Sequence, residues 1–169
     1  MTLVTETRLL KPVAQATVPA RTKPFNLADF YCYNPGFWMY DAFYDTLDLS
    51  NWKVVGSTPE RSYVALCLKA DAYDSDIRKE LPETHLSTLE DIAYLIKAQP
   101  GGKGFLLLNG ANNYFFVRSK NGTVFVVLIR WRTVSRKWVI NGWRVEKRYP
   151  ALWYGPGRRR IFCPGTAII

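Results

Sequence analysis

Residues 121–149, NGTVFVVLIRWRTVSRKWVINGWRVEKRY, decide the fold. From Gly104 the period changes to two, and Thr123–Val134, Lys137–Ile140 and Trp143–Tyr149 read as strands. A period of two places successive side chains on opposite faces of a strand. The dipeptides Asn121-Gly122 and Asn141-Gly142 supply the positive φ angles of tight type I′ turns, so each predicts a hairpin. Ser135-Arg136 predicts a further turn between the first two strands.

These turns set a register. Ile140 falls opposite Trp143 and Val139 opposite Arg144, while Arg132 faces Val139 and Trp131 faces Ile140. Opposed residues share a face of the sheet. One face therefore gathers Trp131, Trp138, Ile140, Trp143 and Val145. The other gathers Arg130, Arg132, Lys137, Val139, Arg144, Glu146 and Arg148. The indoles are read as core and the guanidinium groups as surface; a one-residue slip would mix the two sets.

Upstream, Phe105–Asn109 and Tyr114–Lys120 extend the meander. Thr88–Gln99 reads as a helix: Ser87-Thr88-Leu89-Glu90 fits a capping box, Leu89, Ile92, Ala93 and Ile96 form one apolar stripe, and Pro100-Gly101-Gly102 stops it. Asp71–Leu81 reads as a loop and a short helical turn. Trp52–Val55 and Tyr63–Lys69 read as strands, the second apolar on both faces. Asn34-Pro35 predicts a helix start, followed over Phe37–Leu49 by Phe37, Tyr40, Tyr44 and Leu47 on one stripe and Asp41, Asp45 and Asp48 on another. Residues 1–24 read as a flexible tail unless a sheet edge or a partner captures them, and residues 25–169 as a single α+β domain. Pro150–Ile169 reads as irregular, with an edge strand near Ile161–Cys163. The expected fold is α+β, with helices packed on one face of a curved antiparallel β-meander. Cystatin-like and NTF2-like cone folds share this element order, an analogy that says nothing about function.

The composition bounds the function. With 169 residues, 48% of them apolar, the chain can bury a real core. No apolar run of membrane-spanning length and no signal-type leader occurs, so no membrane association is expected. Three cysteines (Cys32, Cys67, Cys163) are too few and too odd for a disulfide framework, which predicts a reducing, cytoplasmic location. The net charge is +9, and it is unevenly placed. Residues 1–91 hold 9 Lys/Arg against 13 Asp/Glu, a net of −4; residues 92–169 hold 14 Lys/Arg against Glu146 alone, a net of +13. Such asymmetry points to a polyanionic partner, although part of it can cancel if the halves fold together.

Signals for catalysis are weak. The lone His85 reads as a surface or cap-neighbour residue. The cysteines have no paired spacing for zinc. Asp71, Asp74, Asp76 and Glu80 lack the glycine and spacing of a calcium loop and are accounted for by the start of a helix. Gly101-Gly102-Lys103-Gly104 follows a helix and opens a strand, the reverse of a phosphate-binding loop. No cofactor or metal site is therefore expected. The leading expectation is a small basic binding protein that uses an arginine-rich sheet face on nucleic acid or another polyanion. Its candidate contacts are Arg130, Arg132, Lys137, Arg144, Arg148, Arg158, Arg159 and Arg160, with Trp153 and Tyr154 as stacking residues. The alternatives are a protein-interaction module docking on an acidic partner, and a metal-dependent nuclease or other pocket enzyme that would need the Asp71–Glu80 carboxylates beside the arginines.

Overall fold

The computed structural model describes residues 3–4, 6–23, 25–27, 30–31, 34–40, 43, 53–54, 57–99, 104–108, 110–119, 121–145 and 159–167. In chain order its strands are β1 (Leu3–Val4), β2 (Leu10–Val18), β3 (Phe25–Asn26), β4 (Phe37–Met39), β5 (Lys53–Val54), β6 (Arg61–Leu68), β7 (Asn112–Arg118), β8 (Val124–Arg132), β9 (Lys137–Arg144), β10 (Arg159–Pro164) and β11 (Thr166–Ala167). Two helices, α1 (Asp74–Glu80) and α2 (Leu89–Lys97), lie between β6 and β7. Seven strands form the main sheet in the order β2-β6-β10-β7-β8-β9-β4. The fold is α+β and dominated by the sheet. Its β7-β8-β9 core is the antiparallel meander that the sequence predicts, but β10 runs parallel to β7 and β4 parallel to β9, which makes the sheet mixed.

The sheet carries apolar side chains on both faces, and this corrects the expectation that the helices share one face. Tyr63, Ala65, Phe115, Val117, Phe125, Val127 and Phe162 face α2, whose Leu89, Ile92, Ala93, Leu95 and Ile96 bury against them. The intervening residues Val64, Leu66, Phe116, Val126, Ile161 and Cys163 face the other way, toward Ile77 of α1 and Leu81 just after it. Continuous apolar runs such as Val124–Ile129 need a cover on each side, so the helices divide between the two faces. Thr88 caps α2, its side chain accepting from the Asp91 N–H at 3.3 Å. Ser87 instead bridges to Val117, and its hydroxyl donates to the Phe162 carbonyl at 3.3 Å.

Four local expectations are corrected. Asn141-Gly142 is not a turn: both residues lie inside β9, where Leu128 pairs with Asn141 and Val127 with Gly142. A Cβ on Gly142 would stand 2.8 Å from Phe43 Cδ2 and 3.1 Å from the Val126 carbonyl oxygen. Glycine sits here because an aromatic ring crosses the strand, the other established use of glycine in a strand. Asn34-Pro35 opens a turn rather than a helix, with Phe37 N–H donating to the Asn34 carbonyl at 2.9 Å and Gly36 N–H to Asn34 Oδ1 at 2.9 Å. Asn and Pro suit the first positions of a β-turn as well as a helix start, and Phe37–Met39 then enters the sheet as β4. Asp41, Asp45 and Asp48 lie outside the described residues.

Phe105–Leu108 makes no strand. Its backbone is held by two buried side-chain amides that take the place of a neighbouring chain. Gln99 donates to the Leu106 carbonyl at 2.9 Å and accepts from its N–H at 2.7 Å. Asn113 accepts from the Leu107 N–H at 2.7 Å and donates to the carbonyls of Leu107 and Ile129 at 3.0 and 3.1 Å. Finally, Ile161–Cys163 is no edge strand. β10 lies in the middle of the sheet, antiparallel to β6 and parallel to β7, with all three residues buried. One sequence expectation survives in altered form. Asn121-Gly122 does reverse the chain, with Gly122 at φ +87°, but through a longer connection between Arg118 and Val124. A sheet edge captures residues 10–18, which pair along β6 with a bulge between Pro12 and Ala14.

Candidate functional site

The expected basic face splits in two because β9 runs on through Gly142. The observed register pairs Arg132 with Lys137, Arg130 with Val139, Trp131 with Trp138 and Phe125 with Arg144. The β8–β9 pairing is thus two residues away from the expected one, which preserves the faces up to Ile140. Beyond that point a straight strand reverses what a hairpin would have produced. Arg144 lies on the α2 face with Phe125, and Trp143 turns to the α1 face, where its indole donates to Asp74 Oδ2 at 2.8 Å. Arg160 alternates with Ile161 and pairs with Asn113, so it also lies on the α2 face. Arg159 pairs with Asn112, which itself pairs with Arg130, and so takes a register position in the Arg130 row. Arg148, Trp153, Tyr154 and Arg158 lie outside the described residues.

The α1 face therefore keeps Arg130, Arg132 and Lys137 at the end of the sheet distant from α1. Parallel pairing of β4 with β9 adds two aromatic residues that the helical reading of this stretch had hidden. Trp38 pairs with Val139, and Tyr40 follows two residues on, with its N–H reaching the Ile140 carbonyl at 3.4 Å. Trp38 is 43% exposed and Tyr40 37%, large fractions for aromatic side chains. Their rings lie 4.6 Å apart at 44°, and the Arg132 guanidinium stands 4.9 Å from the centre of the Trp38 ring. The sequence signal that could have found them is Gly36-Phe37-Trp38-Met39-Tyr40, a short strand pattern after a turn with alternate rings on one face.

Several cations elsewhere in the molecule are neutralised by carboxylates. Arg21 and Arg61 bind Asp91, Lys69 binds Glu6, Arg78 and Arg118 share Glu83, and Lys79 binds Asp76. Among the described residues, Arg130, Arg132 and Lys137 form no ion pair with a carboxylate. Arg132 and Lys137 face each other across two strands, a like-charge pairing that costs stability when nothing anionic spans it. The π face of Trp38 relieves only Arg132.

The remaining chemical groups are engaged elsewhere. Asp91, 1% exposed, is the hub of a charged cluster in which Arg21, Arg61 at 3.0 Å and the Tyr63 hydroxyl at 3.0 Å all donate to its carboxylate. Burial, with Asp91 beside it, pushes the Tyr63 phenol well above its ordinary range. Arg21 also donates to the Glu90 carbonyl at 2.7 Å and Thr58 Oγ1 at 3.0 Å, tying the segment before β3 to the first turn of α2. Beside this cluster lies a cavity of about 370 Å³ lined by residues 20–23 and by Glu90, Tyr94 and Lys97, a set with no histidine or cysteine. Glu80 accepts from the Thr7 hydroxyl and the Leu9 N–H. With Asp74 on Trp143 and Asp76 on Lys79, the acidic string is spread among separate structural contacts. Trp143 pairs with Val126, four residues along β8 from Arg130, or roughly 13 Å. Asp74 is thus not beside Arg130. His85 is buried rather than at the surface, and burial lowers its pKa. No helix among the described residues is long and apolar enough to cross a membrane. The chain matches no protein-family model, no curated protein and no solved structure.

Proposed function

We propose that this chain is a polyanion-binding protein whose contact surface is the open end of the α1 face, built from Arg130, Arg132 and Lys137 with Trp38 and Tyr40 beside them. The observation that carries this reading is the convergence on one face of three cations that form no ion pair among the described residues, two of them directly opposed across β8 and β9. A chain of phosphates or sulfates supplies the missing counter-charge, and the planar guanidinium fork suits either group. The overall charge of +9 raises the encounter rate with such chains. A cytoplasmic setting belongs to the same proposal and rests on the odd count of three cysteines. Relative to the sequence expectation, Arg144 and Arg160 drop out of the contact set because they occupy the other face.

A salt titration of binding to heparin and to nucleic acid tests the reading. With about three phosphates neutralised, the log–log slope is expected to lie near −2 to −3. The triple variant Arg130→Ala, Arg132→Ala, Lys137→Ala should lose binding, while Arg144→Ala with Arg160→Ala should retain it. Salt-independent binding, or equal losses from the two sets, refutes the assignment.

A further inference from the structure

We infer that the polyanion is a single-stranded nucleic acid, with a base stacked on the Trp38–Tyr40 platform and the neighbouring phosphates held by Arg132, Lys137 and Arg130. This deepens the polyanion reading and rests on it. Cations alone would serve heparin, a duplex or a single strand equally; the aromatic pair separates them. Trp38 and Tyr40 are substantially exposed on the same face as Arg130, Arg132 and Lys137, with ring centres 4.6 Å apart. The Trp138 ring, by contrast, is buried at 4% exposure, and Trp143 packs against the α1-side core. Exposing an indole forgoes the burial that tryptophan ordinarily supplies, and here it stands within cation–π range of Arg132.

That juxtaposition matches the layout of a nucleotide, an aromatic base joined through a sugar to a phosphate. A base laid on the indole brings its own phosphate to the guanidinium beside the ring. From Trp38 the row crosses Val139 to Arg130, two strand spacings or about 10 Å, so a base and more than one phosphate fit between β4 and β8. Every base offers a π face, so stacking of this kind tolerates sequence; paired bases in a duplex keep those faces stacked on one another and out of reach.

The test compares an oligothymidylate with an abasic chain of equal charge, and both with a duplex and heparin, using the full-length protein. Fluorescence anisotropy would measure affinity for an oligothymidylate, for an abasic deoxyribose-phosphate chain of the same length, for the corresponding duplex, and for heparin. Expected is binding of the oligothymidylate about 5- to 150-fold tighter than the abasic chain, the range that one stacked base contributes. Trp38→Ala should abolish that difference, weakening the oligothymidylate far more than the abasic chain or heparin; Trp38→Phe should restore most of it. Equal affinity for the oligothymidylate and the abasic chain, or equal weakening of both by Trp38→Ala, overturns the single-strand inference while the polyanion reading stands. Failure of all four probes to bind overturns both. Because Trp38 is exposed, the folded state of Trp38→Ala can be verified by an unchanged unfolding midpoint.

Discussion

Replacing Asn113 with Leu removes the amide that ties the chain after α2 to the sheet. Asn113 is fully buried, and its side chain makes three hydrogen bonds, to the N–H and the carbonyl of Leu107 and to the carbonyl of Ile129. Leucine keeps the branched shape of asparagine but is larger, so some overpacking adds to the loss of the polar contacts. Losing three hydrogen bonds at about 1 kcal/mol each, and leaving Leu107 partly unsatisfied, amounts to roughly 3–5 kcal/mol. That is a large share of the roughly 5–15 kcal/mol of a typical domain. With a urea slope of about 2 kcal/mol/M, the unfolding midpoint should fall by about 1.5–2.5 M. Asn112→Ala is the internal comparison: it loses one bond, to the Tyr114 hydroxyl at 3.1 Å, and should cost about 1 kcal/mol. Asn113→Asp sharpens the test. One oxygen still accepts from the Leu107 N–H, but the other faces two carbonyls and needs a proton there. Its folded-state pKa is thus raised above the unfolded value, so its destabilisation should be greatest at neutral pH and ease as pH falls through the folded value. An Asn113→Leu midpoint within about 0.5 M of the native one, under about 1 kcal/mol, would refute the view that this amide stands in for a strand partner.

Other changes test the corrected parts of the fold. Gly142→Ala should cost about 1–3 kcal/mol, because the added methyl meets the Phe43 ring and the Val126 carbonyl, lowering the melting temperature by about 2–4 °C per kcal/mol; a neutral result would return Gly142 to a turn. Asp91→Ala leaves Arg21 and Arg61 uncompensated and should cost about 3 kcal/mol, with Arg21→Ala and Asp91→Ala non-additive in a double-mutant cycle; additivity would break the cluster assignment. His85 is harder to protonate folded than unfolded, so the unfolded state takes up more protons as pH drops below its ordinary value of 6.5. Stability should therefore decline from pH 7 toward pH 5, and His85→Gln should flatten that decline in denaturant titrations; an unchanged slope would exclude the histidine as its source.

The sequence was most informative where one local rule had no competitor. Strand period marked β6, β7 and β8, and the apolar stripe from Leu89 to Ile96 marked α2 and the face it buries. It misled where one residue pattern serves two geometries. Asn-Gly suits a tight turn, but a mid-strand glycine beneath Phe43 uses the same dipeptide for clearance. Asn-Pro suits a helix start and a β-turn alike, and the difference hid Trp38 and Tyr40. The split of the arginines followed from that single glycine, since a straight β9 sends Arg144 to the face opposite Arg132. Side-chain amides standing in for a strand at Leu106 and Leu107 leave no periodic trace, because the partners are set by tertiary packing.

The central position of β10 has a consequence for the order of folding. Its residues 159–164 are synthesised after every other strand of the main sheet, yet they separate β6 from β7. Until they arrive, a β2-β6 ribbon and a β7-β8-β9 meander each present an unclaimed hydrogen-bonding edge, and the hydrophobic layers above and below cannot close. Closure of the main sheet therefore waits for β10, and a chain clipped before Arg159 leaves two open edges suited to aggregation.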